Sequence, residues 1–221
     1  MELNASAVSG TVYITRHGEK ESPNGCLSGP GWDRAGSLYD VFSKKYSLPK
    51  YIYANNYANG KDCERCQQTA SLIANSCGPC SSRPDHNPSS TSTPNRSSHN
   101  HRHELIALHH RPPSNNHHHH HHHNPPPPPP LIFHLGLKVD MNHGYSINGG
   151  NENAAAAIKA RLASSSTILV VWEHANIYWL AQNLGVSPKS MPTWGGDDYN
   201  TVYRLSFSNG NMVGFKISRE Y

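Results

Sequence analysis

The order of apolar and polar positions along the chain predicts strands that alternate with helices. Short β-branched and aromatic runs are typical of buried strands, and apolar residues at three- and four-residue steps are typical of amphipathic helices. The predicted strands are 11–15, 51–54, 137–139 and 167–172, and the predicted helices are 32–46, 62–77, 152–163 and 177–184. This alternation favours an α/β fold, a three-layer α/β/α sandwich with a mainly parallel sheet.

The end of the chain has a different pattern. Two β-rich runs, 202–207 and 212–217, flank the pair Asn209-Gly210. Asn-Gly favours the tight turn that joins two antiparallel strands, because both residues tolerate a positive φ. We therefore expect the chain to close with a β-hairpin.

A low-complexity segment interrupts the α/β pattern at residues 81–130. Of the 17 histidines, 14 fall between Ser81 and His134, and the segment contains seven consecutive histidines followed by six consecutive prolines. Such a composition buries too little apolar surface to offset the entropy of ordering. We expect a single domain formed by residues 11–80 and 131–221, with 81–130 as a disordered insert.

Composition excludes several kinds of partner. The net charge of +4 falls to +2 once the four arginines and two acids of 81–130 are removed, so no nucleic-acid or membrane partner is indicated. No apolar run is long enough to span a bilayer. The five cysteines are an odd number, which suits a reducing compartment better than a full disulfide scheme. We expect a cytoplasmic protein.

Two arginines and two histidines occupy positions where a parallel sheet binds ligands. Arg16 and His17 follow the first strand, and His174 closely follows the strand 167–172. Arg65 lies in the first turn of a predicted helix, where backbone N–H groups and the helix dipole favour an anion. Because ligands bind beyond the carboxyl ends of such strands, we expect the four side chains to form one anion site.

These residue types suit the transfer of a phosphoryl group. The transferred group spreads its charge over three oxygens, so a catalyst needs a nucleophile in line and donors that hold those oxygens. Arginine binds phosphate through two parallel hydrogen bonds and stays charged at any working pH. Nearby guanidinium groups favour the neutral form of His17, which is the form that can attack phosphorus. This chemistry requires no metal and no organic cofactor.

Four motifs resemble the histidine phosphatase superfamily, the group that contains cofactor-dependent phosphoglycerate mutase and small phosphohistidine phosphatases. In chain order they are Arg16-His17-Gly18-Glu19, the segment 26–35 with Leu27-Ser28 and Arg34-Ala35, Arg65-Cys66-Gln67-Gln68-Thr69-Ala70, and Val170-Val171-Trp172-Glu173-His174. The resemblance covers 11–77 and about 131–207. It implies that His17 is the nucleophile and that Arg16, Arg65 and His174 hold the phosphoryl group. Ala175 and Cys66 depart from the residues common in the family, and neither is a reacting group.

The sequence thus predicts a metal-independent phosphatase that hydrolyses phosphomonoesters through a phosphohistidine on His17. Its partner would be a small phosphorylated substrate or a phosphoprotein. Two alternatives remain, a catalytically impaired phosphate-binding or interaction module and a mutase of the same superfamily. The general acid is open among Glu19, Glu152 and Glu173, although neighbouring strand residues point to opposite faces, which counts against Glu173 beside His174.

The cysteines offer a rival hypothesis, a zinc site. Cys63 and Cys66 form one Cys-x-x-Cys pair, and Cys77 and Cys80 form another. Four thiolates at such spacings are typical of structural zinc. A helix between the pairs would hold them about 15 Å apart at 1.5 Å per residue, which is too far for one tetrahedral site.

Overall fold

The computed structural model describes residues 9–22, 25–58, 63–74, 136–147, 149–162 and 166–221. The chain divides into two units, Met1–Pro84 with Phe133–Tyr221, and Asp85–Ile132. All of the described residues belong to the first unit. The predicted disordered insert 81–130 lies outside the described residues, so it stays a prediction.

Four α-helices and six β-strands make up most of the described fold. They alternate as the sequence predicts until the closing hairpin. In chain order they are β1 (Ser9–Arg16), α1 (Gly29–Lys45), β2 (Tyr51–Ala54), α2 (Arg65–Ala74), β3 (Val139–Asp140), α3 (Gly150–Leu162), β4 (Thr167–Trp172), α4 (His174–Asn183), β5 (Thr201–Ser208) and β6 (Asn211–Arg219). The chain therefore has an α/β fold with four α-helices and one six-stranded sheet.

The sheet is mixed, whereas the sequence predicts a mainly parallel one. Its strand order is β3-β2-β4-β1-β5-β6. The pairs β3–β2, β2–β4 and β4–β1 are parallel, and β1–β5 and β5–β6 are antiparallel. Of the two antiparallel pairs, β5–β6 is the predicted hairpin, which is confirmed. Asn209 and Gly210 have φ values of 50° and 76°, as a tight turn of this kind requires.

Alternate residues of the central strands enter two different apolar clusters. On β1, Val12 and Ile14 belong to a cluster that includes Ile158 of α3 and Leu180 of α4. Tyr13, between them, belongs to a second cluster, which includes residues of α1 and α2. Every side chain named here is at most 2% exposed. Both sets of side chains on β1 are thus buried, one set in each cluster.

Three helices, α1, α3 and α4, begin earlier than the apolar pattern predicts, and the starts of α1 and α4 affect the candidate site. Helix α1 begins at Gly29, because the Ser28 side chain accepts a hydrogen bond from the Gly31 N–H and caps the helix. Helix α4 begins at His174, directly after β4, with Glu173 as its N-cap residue. The β4–α4 junction therefore contains no loop.

The cysteines contradict the zinc hypothesis. Cys26 and Cys63 form a disulfide, so Cys63 is not available as a thiolate, and Cys66 is free and buried. Cys77 and Cys80 lie outside the described residues. A disulfide is typical of oxidising compartments, which counts against the predicted cytoplasmic location. In the part of the chain that the structure describes, no helix is both long and apolar enough to cross a bilayer.

Candidate active site

The structure brings the four predicted residues together at one edge of the sheet. Strands β1 and β4 are parallel neighbours, with Arg16 opposite Trp172, so the residues that follow each strand emerge side by side. Arg16, His17 and Arg65 are each less than 5% exposed. The His174 side chain is 24% exposed and is the most accessible of the four.

The ring of His17 is held in one orientation by the backbone. Its Nδ1 lies 2.6 Å from the Gly18 carbonyl oxygen, which can only accept, so Nδ1 carries the hydrogen. In the neutral ring the lone pair is therefore on Nε2, which lies 3.3 Å from Arg65 Nε. Burial lowers the pKa of His17 by more than the neighbouring Glu173 raises it, so the neutral ring is favoured.

Gly18 has a steric reason to be glycine. A Cβ at this position would lie 2.6 Å from the Gly31 carbonyl oxygen, in the first turn of α1. On its other side, the Gly18 N–H donates to the Thr69 hydroxyl of α2 at 2.9 Å. That hydroxyl donates to the Arg65 carbonyl at 2.9 Å. The glycine of the Arg-His-Gly motif thus connects the His17 loop to α2.

Arg65 holds the centre of the site from the first residue of α2. Its Nη2 donates to Glu173 Oε2 at 2.9 Å, and its guanidinium carbon lies 4.4 Å from the ring centre of Tyr57. Its Nη1 is buried and has no hydrogen-bond partner among the described residues. The guanidinium group therefore keeps one donor unused.

Arg16 is oriented by the loop that precedes β5. Its Nη1 donates to the Gly196 carbonyl at 2.5 Å, and the ring centre of Tyr199 lies 3.7 Å from its guanidinium carbon. Its Nη2 lies 3.4 Å from His174 Nδ1. Its Nε is buried without a partner in the described part of the chain. Arg16, like Arg65, thus has one unused donor.

Glu173 lies at the centre of the cluster, and the argument that its side chain points away from His174 is wrong. Strand alternation does not extend to this residue, because β4 ends at Trp172 and Glu173 caps α4. Its Oε1 lies 2.5 Å from His174 Nδ1. Its Oε2 lies 3.2 Å from His17 Nε2 and accepts from the Tyr57 hydroxyl at 2.9 Å.

The environment of Glu173 stabilises its charged form. Burial alone would raise the pKa of this carboxyl group, but its close contacts with His17 and His174, together with the positive charge of Arg65, outweigh burial. The net result is a pKa well below the usual range of a glutamate. Glu173 is therefore a carboxylate in the structure as described.

The other two candidate acids do not join the cluster. Glu152 is exposed in the first turn of α3, and no described contact connects it to His17 or Arg65. Glu19 is half-buried beside the α1 start, with one carboxylate oxygen that has no hydrogen-bond partner among the described residues. Of the three, only Glu173 contacts the predicted nucleophile.

Sequence reasoning missed two aromatic residues of the site. Tyr57 lies just beyond the carboxyl end of β2, a place where functional residues of parallel sheets concentrate, and that position was an available signal. Tyr199 lies in the loop before β5, and no local pattern marks it. Both rings lie over arginine side chains, at distances typical of cation–π contacts.

A metal ion is the other ligand to consider for this cluster. His17, Glu173 and His174 offer three ligand atoms that lie within 4.8 Å of one another. However, the guanidinium N–H groups of Arg65 and Arg16 already lie within 3.4 Å of these atoms. A cation would face two fixed positive charges at close range, so the donor set fits an anion better.

Comparisons with known proteins give a distant likeness to solved structures. No protein-family model matches the chain, and no curated protein sequence matches it. Among solved structures, the chain is similar to a candidate phosphohistidine phosphatase, SixA, from Nakamurella multipartita. That likeness has 13% sequence identity and a TM-score of 0.44, and it covers 94% of this chain and 95% of the other. At this distance it identifies neither a family nor an activity.

Proposed function

We propose that the protein is a metal-independent phosphatase that hydrolyses phosphomonoesters through a phosphohistidine on His17. The observation that carries this proposal is the pair of unused buried donors, Arg16 Nε and Arg65 Nη1, beside a histidine whose neutral ring has its lone pair on Nε2. A buried donor without a partner costs about 1–3 kcal/mol, and more when it is charged. A phosphoryl group would satisfy both arginines and present phosphorus to His17.

The reaction would proceed in two displacements. In the first, the Nε2 lone pair of His17 attacks phosphorus and the bond to the alcohol oxygen breaks. In the second, water attacks the phosphohistidine, the N–P bond breaks and its electron pair returns to Nε2. Arg16, Arg65 and His174 would hold the phosphoryl oxygens in both steps, and their charge stabilises the transition states.

Further support comes from the resemblance to the histidine phosphatase superfamily. Its nucleophile motif, its second arginine and its second histidine correspond to His17, Arg65 and His174, which lie together in the folded chain. The proposal therefore includes the three-layer arrangement of that superfamily. It leaves the substrate open between a small phosphorylated molecule and a phosphoprotein.

The proposal is tested by phosphate release from a generic aryl phosphate, with and without a chelator. We expect release that is insensitive to the chelator and falls by at least about 10³-fold in His17→Ala, because the nucleophile is gone. His143→Ala is the matched control, since His143 lies in the loop after β3, outside the cluster. An acid-labile phosphate should be trapped on His17.

Three outcomes would contradict the proposal or replace it with an alternative. Anion binding without any release would favour the impaired phosphate-binding module. Release that survives in His17→Ala, or phosphate recovered on a serine or an aspartate, would exclude His17 as the nucleophile. Transfer of the phosphoryl group to a second alcohol in preference to water would favour the mutase.

A further inference from the structure

The Glu173 carboxylate lies in the space that a substrate would need. Its Oε2 is 3.2 Å from His17 Nε2. A reacting phosphorus must come within about 3–3.5 Å of the same nitrogen. The carboxylate also occupies Arg65 Nη2, one of the donors that would hold a phosphoryl oxygen. A phosphoryl group therefore has to displace the Glu173 carboxylate or share the site with it.

Sharing the site raises a problem of charge. The fixed positive charges are Arg16 and Arg65, and Glu173 already balances one of them. A phosphomonoester dianion would bring two more negative charges into a place where each of these three side chains is at most 6% exposed. Like charges this close in a buried site repel strongly. One proton on the carboxyl group removes the excess charge.

We propose that the phosphoryl group enters the site together with one proton, which Glu173 takes up and then donates to the leaving alcohol. This inference rests on the proposed function. It makes Glu173 the general acid of the first displacement and the general base of the second. This role is consistent with the position of the carboxyl group, which contacts the nucleophile.

The other groups that face Glu173 are poor carriers of this proton. They are His17 at the end of β1, Arg65 and Cys66 on α2, Tyr57 after β2, His174 on α4, and Arg16 beside His174. His17 must keep Nε2 free, and the arginines are already charged. Burial raises the pKa of the Tyr57 hydroxyl and of the Cys66 thiol, so both already hold their protons. His174 is the remaining competitor, and the experiment below separates it from Glu173.

The proton balance closes over one turnover. In the first displacement the N–P bond forms and the P–O bond to the alcohol breaks. The leaving oxygen keeps the electron pair and takes the proton from Glu173. In the second, the attacking water forms the new P–O bond and gives one proton to Glu173, while the N–P bond breaks and its electron pair returns to Nε2. The products are an alcohol and inorganic phosphate, and Glu173 is protonated again.

The first experiment measures the proton directly. Sulfate is a tetrahedral dianion that stays unprotonated at working pH, so any proton taken up on binding goes to the protein. Calorimetric titration of the full chain with sulfate, in two buffers of different ionisation heat, counts those protons. We expect about one proton per sulfate, with an affinity that falls about tenfold per pH unit as the pH rises. In Glu173→Gln we expect no uptake and a flat pH profile.

The control and the contradicting outcomes are defined in the same titration. Glu152→Gln should behave as the unmodified protein, since its carboxyl group is exposed and outside the cluster. Uptake that persists in Glu173→Gln would assign the proton to a histidine, His17 or His174, and overturn the inference. Zero uptake by the unmodified protein, or no sulfate binding, would also overturn it, even if Glu173→Gln does not fold.

The second experiment tests donation to the leaving group. Glu173→Gln should lower kcat/KM by about 10²–10⁴-fold for an alkyl phosphate, which needs an acid, and far less for an aryl phosphate with an acidic phenol. An equal loss on both substrates would overturn the donor role. The failure of the proposed function looks different, because His17→Ala would then leave release from both substrates intact.

Discussion

Two buried ion pairs of the described chain differ in how completely their donors are used. In the first, Arg34 Nε donates to Glu220 Oε2 at 2.9 Å, and Nη2 donates to Glu220 Oε1. The remaining nitrogen donates to the Arg16 carbonyl at 3.4 Å, and the Thr15 hydroxyl donates to Glu220 Oε1 at 2.7 Å. Every nitrogen of Arg34 and both carboxylate oxygens thus have partners.

The second pair, Arg65 and Glu173, has the same residue types and a similar burial, yet it leaves Arg65 Nη1 without a partner among the described residues. A closed pair fixes the backbone around β1, and an open pair has a donor available for a ligand. The two carboxyl groups also differ in pKa. Burial raises the pKa of Glu220, whereas close contacts with two histidines and Arg65 lower the pKa of Glu173 despite its burial. Under the proposed function, the first pair is structural and the second belongs to the active site.

The largest expected effect is on the closed pair. Arg34→Met should lower the free energy of unfolding by about 3–5 kcal/mol, because Glu220 would stay buried without its main partner. Urea unfolding followed by tryptophan fluorescence measures the loss. Replacing both residues, as Arg34→Met with Glu220→Leu, should recover much of it. A loss under about 1 kcal/mol in the single variant would contradict the structural role.

The open pair should respond in activity. Arg65→Gln should lower kcat/KM for an aryl phosphate by about 10²–10³-fold, as expected for the removal of one transition-state donor. Stability should fall less than in Arg34→Met, since Glu173 keeps Tyr57 and His174 as partners. Arg161→Gln, on the exposed side of α3, is the control for removal of an arginine. If Arg65→Gln lost more stability and less activity than Arg34→Met, the distinction between the two pairs would be contradicted.

The disulfide acts on the side of the open pair. Cys63 lies two residues before Arg65, and its bond to Cys26, at a sequence separation of 37, closes the segment that includes α1 and β2. Reduction should lower the free energy of unfolding by about 2–4 kcal/mol. Phosphate release should fall as well, because the start of α2 loses its tether. A variant with both cysteines changed to serine should show the same losses and no response to a reducing agent.

The smallest effect concerns pH. The pKa of His17 is lowered from its ordinary value of 6.5 by burial, so the unfolded chain binds more protons than the folded chain below that value. Stability should therefore fall as the pH drops below about 6.5, by at most about 1.4 kcal/mol per pH unit. Urea unfolding at a series of pH values checks this, and His17→Asn should remove that part of the slope. An unchanged slope would show that His17 does not carry it.

Local patterns predicted the strands and the arginine and histidine positions well, because those signals lie within short windows. Strand 167–172 and the closing hairpin agree with the structure for this reason. The error at Glu173 came from continuing strand alternation one residue past the end of β4. At that point the backbone turns into a helix, and its side chains follow a different period.

Contacts that join distant parts of the chain had no local signal. Arg34 and Glu220 are 186 residues apart, and Tyr57 and Glu173 are 116 apart. The Cys26–Cys63 pairing likewise depends on the α2 start reaching the loop after β1. Counting cysteines could not predict this bridge, because an odd total permits one bridge as easily as none.

The pairing of β1 with β4 has a consequence for how the protein can change over evolutionary time. Arg16 lies opposite Trp172, so the spacing of adjacent strands, about 4.8 Å, sets how far apart the chain segments carrying His17 and His174 begin. Backbone hydrogen bonds fix that spacing whatever the side chains nearby. Loops around the site can therefore change in sequence while the starting positions of the segments that carry His17 and His174 stay the same.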